Sequence, residues 1–434
     1  MTCEVAVANR LGIALAADSA ATFTQSGTGA RTYATGANKI FQLADFDPVG
    51  CMIFNNSTLA GIPWELLIKD YRAQRKDPLA TIKNYSDDFR EYVEGMRSAG
   101  LVPVQVRELS TVSALISASN YVLERVIGTV KLMHDKEGIS IAEAIDRTID
   151  FAHRDSGSGA ISEQLTSEGL EAVKQKHRGT VQGAVDARFA QAENSHLSGQ
   201  VNHERIVELI FATLFYKPFE VLASAYTGLV FAGYGRDQYL PSCLSIKVYG
   251  FIGEKLLFTD GEGFEMEHTG RSCFITPFAT RSMVETFMLG ASSNVYSFVQ
   301  RHFLASAKEA CTTFYSNTGN KADEHLIEQV VQEQMPKFMQ GWIKDVSMAH
   351  LLPLLDIVGG LSLEELGELA DTLVMLESLK EKVTYRTQSV GGPIDVALIT
   401  KSDGLVWIKR KLYFDASLNH RYLARVDRKH RSEQ

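Results

Sequence analysis

The stretch MTCEVAVANRLGIALAADSAAT at residues 1–22, followed by TYATGANKIFQL at 32–43, decides how the rest of the chain is read. Residues 3–8 alternate toward Val5 and Val7, NRLG at 9–12 is turn-like, and 13–17 is a short apolar run, so a β-hairpin is predicted at the very start. The segment 22–38, rich in Gly, Thr and Ser, reads as a loop with a short strand near Tyr33. KIFQL and GCMIF are two further strands, closed by Asn55, Asn56 and Ser57. On this reading the first fifty-odd residues form one small antiparallel sheet.

Beyond it the period of the apolar residues changes. Trp64, Leu67, Ile68 and Tyr71 recur at helical spacing, with Pro63 in the first turn, and a second helix is predicted over 79–96. Residues 105–215 are helical in pattern, at 110–134, 139–153, 160–177 and 202–215, with the look of an insertion. Strand signals return at 228–235, 243–252, 254–265 and 272–276. Helices follow at 281–315, 322–347 and 361–383, the last opened by Ser362 and Glu365 in capping-box spacing. PIDVALITK and LVWIKRKLYF close the pattern as a hairpin turning at Ser402, Asp403 and Gly404. Separate groups of hairpin-linked strands with helices between them imply two packed sheets flanked by helices, an α+β protein rather than a doubly wound parallel sheet.

The chain of 434 residues is 45% hydrophobic and 22% charged, which is a globular composition able to bury a large core. A formal charge of −8 offers no general attraction to nucleic acid or to an anionic membrane, so neither is expected as a partner. Glu4, Asn9 and Arg10 interrupt the apolar run that a secretory signal needs, and no run is long enough to span a membrane, so a cytoplasmic enzyme is expected. Cys3, Cys51, Cys243, Cys273 and Cys311 lack metal-ligand spacing and read as buried reduced thiols. There is no GxxxxGK[ST] phosphate loop and no HExxH, and His134, His153 and His177 are dispersed in the helical block, so no metal or organic cofactor is called for.

The chemistry concentrates at the start. With Met1 removed, Thr2 carries a hydroxyl nucleophile and a free α-amine on one residue, and that amine, titrating near about 7.7–8.0, can take the hydroxyl proton. Lys39 supplies a cation that raises the neutral fraction of the amine, and Asp18 holds the lysine in place. Backbone N–H groups then stabilise the oxyanion of an acyl-transfer intermediate.

TCEVAVANRLGIALAADSAAT and NKIF resemble the proteasome β-type family of N-terminal nucleophile hydrolases, whose subunits begin at threonine. The positions matching its nucleophile, aspartate and lysine are Thr2, Asp18 and Lys39. MIFNNSTLAGIPWELLIKDY is similar to the family's oxyanion loop and first helix, and YRTQSVGGPIDVALITKSDG to the segment joining its last main helix to its final hairpin. The resemblance covers about the first hundred residues, then roughly 220–290 and 361–414.

It implies a four-layer αββα sandwich spanning 2–434 as a single domain. A helical insertion would occupy about 105–215 and an additional helical segment about 295–358. It further implies a threonine peptidase acting on peptides or unfolded protein, a homo-oligomer, an oxyanion N–H near Asn56 or Ser57, and support of the terminal amine from Thr387 and Ser389. The chain departs from the family where Asn56 replaces the oxyanion glycine, where Thr387 and either Ser389 or Val390 replace an aspartate and a serine, and where FITPFAT replaces a Gly-Ser-Gly turn. Those departures motivate a second reading, a non-catalytic scaffold or interaction protein on the same fold.

Overall fold

The computed structural model describes residues 2–24, 31–95, 104–157, 161–191, 194, 201–318, 323–384, 390–415, 418–421 and 423–424. The chain opens with the predicted hairpin, β1 (Cys3–Asn9) and β2 (Gly12–Ala17), paired antiparallel with Glu4 opposite Ala17. Every residue of both strands is buried, so each face of this hairpin lies under another layer. The Gly/Thr/Ser-rich segment is a two-stranded ribbon, β3 (Ala21–Thr24) with β4 (Arg31–Ala34), where sequence predicted a loop with one short strand. β5 (Ile40–Gln42) and β6 (Val49–Asn55) follow, then the short pair β7 (Thr58–Leu59) and β8 (Ile62–Pro63).

After α1 (Trp64–Gln74) and α2 (Ile82–Gly95) come the helices of the middle block: α3 (Val104–Glu137), α4 (Ile141–Gly157), α5 (Ser167–Phe189), α6 (His203–Tyr216) and α7 (Pro218–Val221). Strands β9 (Thr227–Gly233), β10 (Ser242–Ile252), β11 (Lys255–Glu265) and β12 (Cys273–Ala279) return the chain to sheet. They lead to α8 (Ser282–Leu289), α9 (Ser293–Asn317), α10 (Glu324–Val346), α11 (Leu352–Val358) and α12 (Leu363–Thr384). The final hairpin is β13 (Asp395–Thr400) with β14 (Gly404–Lys409).

The strands form two five-stranded antiparallel sheets, ordered β12-β1-β2-β13-β14 and β11-β10-β9-β6-β5. The strands of the opening fifty-odd residues are therefore divided among these two sheets and the β3–β4 ribbon rather than gathered in one. Period-2 alternation reports which face of a strand is apolar but not which sheet receives it.

Three apolar clusters organise these sheets. Between them lie Ala6, Ala8, Ile13, Leu15 and Ala17 from one sheet against Ile40, Met52, Phe54, Val230 and Ala232 from the other. The small side chains let the sheets approach closely: a Cβ on Gly50 of β6 would stand 2.9 Å from Ile399 Cδ1 of β13. The opposite face of β1 and β2, through Val5, Val7, Ala14 and Ala16, packs on Leu366, Ala370, Leu373 and Val374 of α12. The outer face of the second sheet, through Phe41, Cys51, Phe231 and Ile246, meets Trp64, Leu67, Ile68, Tyr85 and Phe89 of α1 and α2. Truncating such a buried Leu or Phe to Ala costs about 2–5 kcal/mol.

Local chemistry accounts for the helix boundaries. Ser362 and Glu365 form the predicted capping box, Ser362 N donating to Glu365 Oε2 at 2.8 Å and Glu365 N to Ser362 Oγ at 3.3 Å. The helix expected over 281–315 is broken because Gly290 takes a left-handed φ of 69° and ends α8. Pro63 precedes α1 as an extended residue instead of entering its first turn.

The middle helices bury Leu115, Val122, Ile145, Val185, Ile210 and Phe211 among themselves and meet Ile252 and Leu257 at the β10–β11 end. There Phe251 N donates to Ser110 Oγ at 2.7 Å and Gly253 N to Thr111 Oγ1 at 3.0 Å, which fixes α3 to the sheet. Helices α9 and α10 pair through Tyr296 with Trp342 and Phe303 with Phe338, and no residue of α9 is fully buried. Among the described residues no helix is long and apolar enough to cross a membrane.

Candidate functional site

Strand register assembles the site. Because Glu4 of β1 faces Ala17 of β2, the next residue along β2, Asp18, falls beside Cys3: Asp18 N donates to Cys3 O at 3.2 Å and Cys3 N to Asp18 Oδ1 at 3.0 Å. Lys39 comes from the other sheet. It immediately precedes β5, with its carbonyl accepting from Ile53 N at 2.9 Å, and its side chain crosses to put Nζ 2.5 Å from Asp18 Oδ1. An ion pair at the end of the inter-sheet core thus links the sheets. Asp18 is fully buried and Lys39 is 5% exposed.

The Asp18 carboxylate has a complete set of donors. Oδ1 receives Lys39 and Cys3 N, and Oδ2 receives Ala20 N at 3.1 Å and Gly391 N at 2.9 Å. A buried carboxylate is tolerated when its lone pairs are satisfied in this way. Gly391 and Gly392 have φ of 153° and 78°, a backbone conformation that suits glycine, and the Gly391 N–H supplies one of the donors to the site.

Thr2 is 8% exposed and is held by Thr280 N, which donates to its carbonyl at 2.9 Å. The FITPFAT segment runs as strand β12 up to Ala279, whose φ of 57° is unusual for a residue with a Cβ. The Thr2 hydroxyl donates to Glu4 Oε2 at 3.1 Å. Glu4 is fully buried, and Lys39 Nζ lies 3.4 Å from its other oxygen, Oε1. That approach is close enough for ion pairing but is not directed as a hydrogen bond, and Oε1 has no hydrogen-bond partner among the described residues.

Burial pushes the Glu4 carboxyl up to about 8; Lys39 opposes the rise, Asp18 adds to it, and the Thr2 hydroxyl opposes it. Sequence reading missed Glu4. The available signal was a single carboxylate inside CEVAVAN, on the same strand face as Ala6 and Ala8. Burial, reinforced by Glu4 and Asp18, also holds the Cys3 thiol well above its ordinary range, which makes Cys3 a poor competing nucleophile.

Thr2, Asp18 and Lys39 are therefore brought together, with Glu4 between the hydroxyl and the lysine. Asn56 and Ser57 are exposed and follow Asn55, which adopts a φ of 69° while its side chain donates to the carbonyls of Ser224 and Tyr226. Asn56 lines a cavity of about 460 Å³ with Ser110, Ser113 and Ser117 of α3, and none of Thr2, Asp18 and Lys39 lines it. Thr387 and Ser389 lie outside the described residues. Among the described residues no group of three or more His, Cys, Asp and Glu side chains is placed to hold a metal ion. In comparison with known proteins, no family model and no curated protein matches this chain.

Proposed function

We propose that this chain is a proteasome-like N-terminal nucleophile hydrolase that cleaves peptide or amide bonds with Thr2 once Met1 has been removed. The observation that carries the reading is the buried approach of Lys39 Nζ to Asp18 Oδ1 at 2.5 Å, across two sheets, beside the hydroxyl of the second residue. Two antiparallel sheets packed face to face, with α12 outside one and α1 and α2 outside the other, support a four-layer αββα sandwich. The helices between α2 and β9, and the α9–α10 pair, are then insertions into that sandwich.

In this reading Thr2 Oγ1 attacks the carbonyl carbon of a peptide or unfolded-protein substrate, the amine leaves, and water releases the acyl group. Lys39 supplies a fixed positive charge in a water-poor site, and Asp18 holds it there. Like the resembled family, the subunit assembles with copies of itself.

A threonine-directed β-lactone tests the reading. The expected result is one acyl adduct per chain, mapped to Thr2 and lost in Thr2→Ala, with peptide turnover lost in both Thr2→Ala and Lys39→Ala. Undiminished turnover in Thr2→Ala would sink it. One observation favours the second reading, a non-catalytic scaffold: Thr2 is almost enclosed, and the cavity beside Asn56 is lined by none of the three residues. Retention of Met1 in all molecules together with no adduct decides for the scaffold.

A further inference from the structure

Glu4 has no part in the chemistry read from the sequence, and its surroundings ask for one. A carboxyl group in an apolar inter-sheet core is costly unless its oxygens are paired. Asp18 already provides the close counter-charge for Lys39 and takes four donors, so Glu4 is not required to neutralise the lysine. Among the described residues the Thr2 hydroxyl donates to Glu4 Oε2 at 3.1 Å, while Oε1 faces Lys39 Nζ at 3.4 Å as an ion pair without a directed hydrogen bond. A buried carboxyl whose hydrogen bond comes from the nucleophile is placed to take the nucleophile's proton.

We propose that Glu4, and not the α-amine of Thr2, is the catalytic residue that accepts the hydroxyl proton when Thr2 attacks. The inference rests on Thr2 being the nucleophile. As the Oγ1–C bond forms, the proton moves from Thr2 Oγ1 to Glu4 Oε2 and the carbonyl electron pair goes to oxygen. When the intermediate collapses, the C–N bond breaks and the leaving amine takes the proton from Glu4. Water then adds to the acyl carbon and gives a proton to Glu4, which returns it to Oγ1 as the ester bond breaks, so protons balance over the cycle. Lys39, close to both Glu4 and Asp18, offsets the charge that Glu4 carries between these steps. A carboxyl of raised basicity suits the task, because an ordinary one is too weak a base toward an alcohol near neutral pH.

The test is the rate of Thr2 acylation by a β-lactone in Met1-free protein, followed by intact mass. Glu4→Gln keeps the size and the hydrogen-bonding capacity toward Thr2 but cannot bind the proton. It is expected to react roughly 10²–10⁴ times more slowly than the unsubstituted protein and to lose the rise of rate with pH, while Glu4→Asp falls between. Glu4→Gln reacting at the unsubstituted rate, or keeping the same pH rise, overturns the proposal and leaves Thr2 as nucleophile intact. Unsubstituted protein that takes no adduct overturns the Thr2 reading, and this inference with it. If thermal melting shows Glu4→Gln unfolded, Glu4→Ala decides: a slow rate raised by added formate supports the role, and a rate that is undiminished, or slow and indifferent to formate, overturns it.

Discussion

Asp18 and Gly391 are 373 positions apart in the chain and are joined by a 2.9 Å hydrogen bond from the Gly391 backbone N–H to Asp18 Oδ2. Ser19 N returns a bond to Gly391 O at 3.1 Å, and the Ser19 hydroxyl donates to Pro393 O. The end of β2 is thereby fixed to the segment that enters β13, so the carboxylate that holds Lys39 is oriented from the far end of the sequence. The loop that carries Gly391 thus takes part in orienting the carboxylate that holds the lysine.

Gly392→Ala follows from this. Gly392 has a φ of 78°, and a Cβ there would stand 3.0 Å from Thr35 Cβ and 3.4 Å from Ser19 Cβ. Gly404 has a similar φ of 73° with nothing within 4 Å, which makes Gly404→Ala the control for backbone strain alone. Each is expected to cost about 1–2 kcal/mol from the left-handed backbone. Gly392→Ala is expected to lower Thr2 acylation as well, whereas Gly404→Ala leaves it unchanged. Equal acylation in the two variants, measured beside urea denaturation, dismisses the loop as an orienting element.

Lys39→Met removes the cation shared by two buried carboxyls. Glu4 and Asp18 are then left close together in a dry site, and removing one partner of a buried ion pair costs about 3–5 kcal/mol. Urea denaturation is expected to show a loss of that order. A change below about 1 kcal/mol is what an exposed pair would give, and it contradicts the buried arrangement.

Much of this fold is legible in the residues, and the reasons for the gaps are physical. CEVAVAN and GIALAA around NRLG specify a hairpin because apolar alternation and a turn coincide, and Ser362 with Glu365 specify a helix start through their own hydrogen bonds. The ribbon of β3 and β4 was hidden because Thr, Gly and Ser write no apolar face. The division of the first strands between two sheets depends on packing partners that lie beyond residue 220. At the site, Thr2, Asp18 and Lys39 were visible as chemical types in order along the chain. Glu4 was not, since one carboxylate in an alternating strand reads as a solvent-facing residue until both faces are known to be covered.

Thiol labelling separates Thr2 from its neighbour. Cys3, Cys51, Cys243 and Cys273 are buried, and Cys311 on α9 is half-buried. Burial raises the thiols of Cys3, Cys51, Cys243 and Cys273, so these groups are poor in the reactive thiolate form. A maleimide under native conditions is expected to modify Cys311 first, with the others reacting after denaturation. Rapid native labelling of Cys3 argues that the Thr2 end of β1 is open, and would require any adduct there to be mapped to the residue before it is assigned to threonine.

The Glu4 carboxyl also leaves a signature in stability. Its affinity for a proton rises on folding, from an ordinary value of 4.5 to about 8, so between those values the folded chain holds a proton that the unfolded chain has released. Stability falls with pH wherever the native state binds more protons, so the Glu4 contribution is fully present below about 4.5, is lost across the window to about 8, and is flat above it. Glu4→Gln has no such term. Unfolding free energies of the two proteins, compared across that window, are expected to show the unsubstituted chain losing ground to the variant as pH rises. The charged groups facing Glu4 decide the sign: Lys39 favours the ionised form, while burial and Asp18 favour the protonated one. A difference that is flat across that window, and grows with pH in favour of the unsubstituted chain only below about 4.5, means that Lys39 prevails and Glu4 is held ionised, in which case acylation of Thr2 loses its dependence on pH near 8.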